Sequence, residues 1–330
     1  MYKMKMMLVF FFLMSIGSVD ASEFHILCDG KSDVSKEIPR LENLTLNFSE
    51  GVCNFSQPLT LYSNVVIIGA GNNKTILMAP KAMPDNVSFL SAGSRKADTP
   101  VVNIQIKNLT LYGRNGMSGF SEHNHLLSLI GVKNVKILNS RFLGFQGDAI
   151  YIGRSTMQNR DIEIRNNYFD GLNYNNRNAV SVISGSNVDI NSNFFFRTTM
   201  RNMPGAIDLE PNNGKEHLIE NIKIANNKFL SIGGKAAVVV SIRHIYASQV
   251  NSITIENNKI YNTKRGIYIY AKNQSPKSLP RNFTINGNRI LGAKIRPLLV
   301  CNIEDLKIAS KNVGFNSYCP LTQRALSLIN

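Results

Sequence analysis

Apolar and polar residues alternate along most of the chain in short runs of period two, the spacing of a β-strand with one buried face. Asn221-Ile222-Lys223-Ile224 and Ala206-Ile207-Asp208-Leu209 are typical runs. They fall into a repeat: Ile, any residue, a polar pair, then two residues ending in Phe, Ile or Leu. It reads IKNLTL from Ile106, ILNSRF from Ile137, IRNNYF from Ile164 and INSNFF from Ile190, then IANNKF from Ile224, IENNKI from Ile255 and INGNRI from Ile285. Successive copies lie 31, 27, 26, 34, 31 and 30 residues apart, so each unit carries a loop of variable length. Leu306-Lys307-Ile308 reads as a last, degraded copy.

Each unit predicts three short strands. The first is the alternating run before the motif. An Asn then recurs at one place: Asn167, Asn193, Asn227, Asn258 and Asn288. Asn tolerates the left-handed backbone of a sharp bend, so these residues are expected at the corner, with each side-chain amide bonded to its equivalent one layer away. A second strand follows, anchored by Phe142, Phe169, Phe195, Phe229, Ile260 and Ile290 pointing inward. The third strand is Ala149-Ile150-Tyr151-Ile152, Ala179-Val180-Ser181-Val182, Ala206-Ile207-Asp208-Leu209, Ala237-Val238-Val239-Val240 or Gly266-Ile267-Tyr268-Ile269. Three strands per unit, stacked with inward ladders of Ile, Val and Phe, describe a β-helix. The helical periodicity of ankyrin, tetratricopeptide and leucine-rich repeats is missing.

The repeat resembles the right-handed parallel β-helix of the pectate lyase superfamily, with its asparagine turn between the second and third strands of each coil. Gly51 to Gly71 resembles that superfamily's opening coils, and the likeness covers roughly residues 48 to 310. It implies an all-β, right-handed, single-stranded parallel β-helix (pectin lyase-like) of about eight to ten coils. Residues 22–330 are expected to form one domain: N-terminal coils over 28–75, main repeats over 101–309, and a C-terminal cap over 310–330 that includes Leu321 to Ile329. The resemblance is specific for fold rather than activity, because the superfamily holds lyases, hydrolases, epimerases and non-enzymes. Gly69-Ala-Gly-Asn-Asn-Lys-Thr75 superficially resembles a phosphate loop. No helix pattern follows it, and a turn between coils is the better reading.

The ends and the composition add a compartment and a partner. Lys3 and Lys5, the apolar run Met6 to Ile16, and Val19-Asp20-Ala21 have the form of a cleaved export signal over residues 1–21. No later stretch is apolar and long enough to span a membrane. Export to an oxidising compartment makes Cys28–Cys53 and Cys301–Cys319 the simplest of the three possible pairings. Lys and Arg number 37 against 22 Asp and Glu, a net charge of +15. A basic exported chain points to an anionic partner, an acidic polysaccharide or a membrane surface. Nucleic acid is disfavoured because no compact basic motif with interleaved aromatics appears.

Against that charge, Asp208 and Glu210 stand out, since acids are poor strand formers. By resemblance their strand is the first of the coil, whose sheet usually carries the superfamily's substrate cleft on its outer face. Stacking the coils predicts one outward column of Tyr151, Ser181, Asp208, Val239 and Tyr268, and another of Gly153, Ile183, Glu210, Ser241 and Tyr270. Asp208 and Glu210 are thus expected on one exposed face. Around them come Arg177, Lys215, His217, Lys235, Arg243, His244 and Arg265, with His217 and His244 read as surface residues. Asp148, Tyr151, Arg177, Lys235, His244, Arg265, Tyr268 and Tyr270 form the expected glycan-binding set, because Tyr rings stack on sugars and cations pair with uronate or sulfate.

Two chemistries fit. The spacing resembles calcium-dependent alginate and chondroitin lyases of this fold, which carry acid-x-acid on a strand, a Lys five residues later and an Arg on the next coil. The resemblance makes Asp208, Glu210, Lys215 and Arg243 the catalytic set for β-elimination from a uronate glycan. Asp208 and Glu210 would bind Ca²⁺, and cations would lower the pKa of a basic side chain. Those lyases also use an Asn on the preceding coil; Asn178 is the nearest here, out of column with Asp208. The alternative is glycoside hydrolysis by paired carboxylates, drawn from Asp208, Glu210 and Asp148. The Asp-Pro-His-Asp signature of C5-epimerases is missing. A non-catalytic glycan-binding or adhesive β-helix is the rival from another class, its two acids only keeping a face polar or pairing with Arg243 and Lys235.

Overall fold

The computed structural model describes residues 22–211, 217–242, 249–272, 279–309, 316–318 and 326–329. These residues wind into a parallel β-helix whose coils each contribute a strand to three sheets, of twelve, ten and ten strands. We call them the long sheet, with strands such as Ile219–Ala225, the short sheet, with strands such as Lys228–Leu230, and the site sheet, with strands such as Gly205–Leu209. All strand pairs are parallel and follow the repeat register: Ile137 faces Ile164, which faces Ile190, then Ile224, Ile255 and Ile285. The expected leader over residues 1–21 lies outside the described residues.

The interior is a set of stacked side chains. Phe142, Phe169, Phe195 and Phe229 are fully buried and stack with centroids 4.9, 4.8 and 4.7 Å apart. Those separations are the spacing of hydrogen-bonded strands, so ring stacking and the sheet ladder reinforce each other. Ile260 and Ile290 continue the row. The coils also run through the stretch between 75 and 101, where Leu90–Gly93 pairs in register with Leu59–Leu61 and with Leu127–Ile130. Past Ser310, where a cap was expected, Asn316–Tyr318 extends the site sheet and Leu326–Ile329 the long sheet.

The bend after the long sheet corrects one expectation. The left-handed residues are those one place earlier than the recurring Asn, and than Ser140 at the same place one coil before: Asn139, Asn166, Ser192, Asn226, Asn257 and Gly287, with φ of 48°, 56°, 56°, 55°, 53° and 62°. The recurring Asn is instead a buried hydrogen-bonding plug. Asn227 Oδ1 accepts the Asn193 backbone N–H at 2.9 Å, and its Nδ2 donates to Ile190 O at 2.8 Å. Asn167, Asn193, Asn258 and Asn288 repeat this arrangement, and neighbouring amides bond to each other as expected. One donor and one acceptor are needed at this point, which an amide supplies and a carboxylate does not.

A second ladder went unread. Asn43, Asn64, Asn103, Asn134, Asp161, Asn187, Asn221, Ser252 and Asn282 all have φ between 51° and 60°. From Asn103 onward each sits three residues before the motif Ile. Their side chains link coil to coil, as in Asn134 Nδ2 to Asn103 Oδ1 at 2.7 Å and Asn221 Nδ2 to Asn187 Oδ1 at 2.7 Å.

The predicted Cys28–Cys53 bridge is formed, closing a separation of 25 residues. Cys301 is also disulfide-bonded; its expected partner, Cys319, lies outside the described residues. Among the described residues no helix is long and apolar enough to cross a membrane.

Replacing Asn227 by Ala leaves the Ile190 carbonyl and the Asn193 N–H buried without their partner. An unsatisfied buried polar group costs about 1–3 kcal/mol, so Asn227→Ala is expected to lower unfolding stability by roughly 3 kcal/mol or more. Urea unfolding followed by circular dichroism measures it. An unchanged midpoint would show that the ladder contributes little.

Candidate functional site

The expected outward columns form on the site sheet. Ser128, Tyr151, Ser181, Asp208, Val239 and Tyr268 follow one another on consecutive strands. Asp208, however, is not exposed: it is fully buried, and the Glu210 side chain is only 15% accessible. The cause is the turn that precedes the Val180–Val182 strand. Leu172 and Tyr174 take left-handed backbone there, at φ 62° and 59°, and the Asp170 carboxylate accepts the Leu172 N–H at 2.8 Å. The turn then folds back, and Arg177 N–H donates to Gly147 O at 3.1 Å. This lays the Arg177 side chain across the acids.

Arg177 becomes the hub. Its Nη1 donates to Asp148 Oδ2 at 3.0 Å and to Ser181 Oγ at 3.1 Å. Its Nη2 reaches Glu210 Oε2 at 3.1 Å and lies 3.9 Å from Asp208 Oδ2, and its Nε is 3.4 Å from Glu122 Oε1. Burial works against the guanidinium charge, but the Asp148, Asp208, Glu210 and Glu122 carboxylates outweigh it and raise the Arg177 pKa. In the non-catalytic reading the acids pair with Arg243 and Lys235; their partner among the described residues is Arg177, and Arg243 lies outside them.

Asn178 sits out of column, yet the same turn brings its amide to 3.4 Å from Asp208 Oδ2. The amide is best satisfied with Nδ2 toward Gly205 O and Arg177 O, at 2.9 and 3.1 Å, and Oδ1 accepting from Arg177 Nη1 and Ser181 Oγ, at 3.1 and 2.9 Å. Asp148 is fully buried; besides Arg177, its Oδ1 accepts the Asn178 N–H at 3.0 Å.

Two members of the site were not anticipated, Glu122 and His125. They belong to Ser121-Glu122-His123-Asn124-His125, a polar run just before the alternating Leu127-Ser128-Leu129. That placement, matching Asp148 ahead of Ile150, was the available signal. His125 is 7% exposed and stacks flat on Tyr151, centroids 4.4 Å apart and planes at 4°. The Asp148 backbone N–H donates to His125 Nδ1 at 3.0 Å, so that nitrogen carries no proton. Burial drives the His125 pKa down to about 4, against the pull of Asp148, and the ring is neutral at pH 7. Burial and the Asp148 charge push the Tyr151 phenol up.

The other expected residues are placed as follows. Tyr268 and Tyr270 lie together, centroids 6.2 Å apart, with the Arg265 guanidinium 5.3 Å over the Tyr268 ring. They stand two strands from Asp208, on the order of 10 Å along the axis. Lys235 lies in the turn before Ala236–Ile242 and forms no ion pair among the described residues. His217, expected at the surface, is buried at 1% exposure. Lys215, Arg243 and His244 lie outside the described residues.

Four carboxylates surround one guanidinium beside a neutral imidazole. Among the described residues no group of three or more His, Cys, Asp or Glu is arranged to hold a metal ion. Asp208 and Glu210 already share Arg177, so the described donor set fits Ca²⁺ poorly.

Fold and centre together define a right-handed parallel β-helix protein with a buried arginine–carboxylate cluster on one sheet. The chain belongs to the family described as right handed beta helix region, whose model matches residues 125–313. Among solved structures it is similar to the A-module of the mannuronan C-5 epimerase AlgE4 from Azotobacter vinelandii, at 13% identity and a TM-score of 0.53 over 83% of this chain and 79% of that one. It is also similar to the N-terminal fragment of bacteriophage phi29 gene product 12, at 14% identity and a TM-score of 0.56 over 83% of this chain and 60% of that one. A third is the tailspike gp49 of Acinetobacter baumannii bacteriophage Fri1, a capsular polysaccharide depolymerase, at 11% identity and a TM-score of 0.51 over 87% and 57%. The chain spans less than two thirds of the two phage proteins. At these identities the likeness is one of fold. A search of curated protein sequences finds no match.

The His125 geometry predicts a pH dependence. The pKa falls from 6.5 in the unfolded chain to about 4 in the folded one, so the unfolded state takes up the proton first as pH drops. Stability contributed by the neutral ring is therefore present above pH 6.5 and lost between about 6.5 and 4, by up to roughly 3 kcal/mol. Urea midpoints of the native chain and of His125→Gln, measured across that range, should diverge in slope. Parallel curves would contradict the assignment.

Proposed function

We propose that the chain processes a polysaccharide on the outer face of its site sheet, with the Arg177 cluster as the reactive centre. The observation that carries this reading is one guanidinium held by Asp148 and Glu210 and flanked by Asp208 and Glu122, midway along the sheet. Such a cluster is costly to bury, and the surface around it is otherwise basic, so it is better explained by chemistry than by solubility.

Glycoside hydrolysis suits the described residues best. It needs a pair of carboxyl groups, one to protonate the glycosidic oxygen and one to act as base or nucleophile. Glu210 and Glu122 have side chains 15% and 50% exposed, and these are the two within reach of a sugar chain. Asp148 and Asp208 are fully buried; their role is to hold Arg177 so that its Nη2 orients Glu210. Tyr151 on one side and Tyr268 with Tyr270 on the other supply stacking surfaces.

β-Elimination from a uronate glycan is the second reading. It is favoured by the basic turns that border the sheet, among them Lys235 and Arg265. In that case Lys215 or Arg243 would serve the proton transfer, and Asp208 and Glu210 would be the residues to hold a Ca²⁺ that neutralises the uronate carboxylate.

Incubation with uronate polymers and neutral glycans separates these readings. Reducing ends without ultraviolet absorbance of unsaturated sugars are expected for hydrolysis, and both together for elimination. Glu210→Gln is expected to lower kcat by about 10²–10⁴-fold with the urea midpoint little changed. Loss of activity on chelation, restored by calcium, would bring back the metal-dependent route. Binding without any cleavage would sink the enzymatic reading.

A further inference from the structure

The coil has two unlike sides. On the outer face of the long sheet bases and acids are interspersed and partly paired: Arg165 with Glu163 at 2.9 Å and Asp189 at 3.2 Å, and Lys223 with Glu256 at 2.9 Å. The side made by the short sheet and the turns leaving it is not balanced. Apart from Arg177, whose acids belong to the site sheet, residues 166–178, 192–204, 226–235, 257–266 and 287–297 hold ten Arg or Lys and a single acid, Asp170. That acid is already held by Arg197 at 2.6 Å.

On the short sheet Lys228, Lys259 and Arg289 stand in register on consecutive strands, all exposed. Adjacent strands are about 4.8 Å apart, and like charges directly opposite each other destabilise a sheet. On the long sheet acids stand beside several of the bases, as Glu163 and Asp189 do beside Arg165; Lys228, Lys259 and Arg289 are in no ion pair among the described residues. The column continues with aromatics, Phe194 under Lys228 Nζ at 5.0 Å and Tyr168 under Arg141 at 4.9 Å. Beside it the turns enclose a cleft of about 470 Å³, whose charged lining is Arg201, Lys264 and Lys294. All three are exposed, and none is in an ion pair among the described residues.

We propose that this side is a docking surface for a linear polyanionic glycan, separate from the Arg177 cluster. A polyanion laid along the helix axis relieves the repulsion among Lys228, Lys259 and Arg289. The aromatic rings offer flat faces for sugar rings, and Lys and Arg pair with carboxylate or sulfate. The cleft between the turns has room for a single polymer chain, whereas a flat membrane surface would meet only the side chains at its rim. The surface holds the substrate chain while the site sheet works on it. This rests on an acidic glycan as partner, but not on the chemistry assigned to Glu210.

Alginate binding by calorimetry, with dextran as the neutral control and phosphatidylglycerol vesicles as the lipid control, tests it. Lys264→Glu/Lys294→Glu is expected to weaken alginate binding about tenfold or more and to reduce its salt dependence. Lys264→Arg/Lys294→Arg should retain binding, and Lys264→Gln/Lys294→Gln should fall between. Circular dichroism of each variant checks that the fold is kept. In a Glu210→Gln background, where turnover is slowed, Lys264→Glu/Lys294→Glu should weaken binding by the same factor, which separates failure of docking from failure of the catalytic reading. Native-like alginate binding by the Glu pair, equal binding of dextran, or binding of the vesicles in place of alginate would each overturn the proposal.

Discussion

A stack of coils has to satisfy its own corners. Within each sheet the strand above and the strand below take every backbone donor and acceptor, but a bend turns those groups out of line. Here the corner after the long sheet is buried, so water does not serve it. Asn167, Asn193, Asn227, Asn258 and Asn288 fill the gap, each accepting one N–H and donating to one carbonyl of the preceding coil. Because each amide reaches one layer back, the ladder also holds the coils in register. The Phe stack and the Ile columns depend on that register, since a one-residue slip would turn them outward.

The same register gathers the candidate site. Asp208, Ser181 and Tyr151 come from strands about 30 residues apart in the chain, yet follow one another at strand spacing. What converts the column into a centre is the turn carrying Arg177 and Asn178. Its length differs from that of its neighbours, as the uneven repeat steps allow. A buried guanidinium with several carboxylates is mutually sustaining: removing Arg177 would leave Asp148 charged and buried without a counter-ion. Arg177 is therefore a structural keystone as well as part of the proposed machinery, and variants at Glu210 probe chemistry more cleanly.

The outward columns and the inward Phe row were legible because a period of two on a stacked strand leaves no choice of face. The order of coils followed from the recurring IxNN pattern. The left-handed residue at the corner was assigned one place late, because Asn occupies both positions in Asn166-Asn167, Asn226-Asn227 and Asn257-Asn258. Ser192-Asn193 and Gly287-Asn288 carried the distinction, since the ladder position keeps its amide while the strained position accepts Ser or Gly. The outer ladder at Asn103, Asn134, Asn187, Asn221 and Asn282 was equally periodic but hidden inside strands.

By itself the sequence determined the fold, the strand faces, the Cys28–Cys53 pairing and the two columns holding Asp208 and Glu210. Each follows from short-range periodicity or from spacing along the chain. Burial at the site was decided only by the tertiary structure. A turn whose path depends on contacts to Gly147 and Asp148, a coil away, folds Arg177 over Asp208, and another coil supplies His125 and Glu122. Side-chain charge and solvent exposure at that point are properties of several coils together, and a repeat read one unit at a time does not contain them.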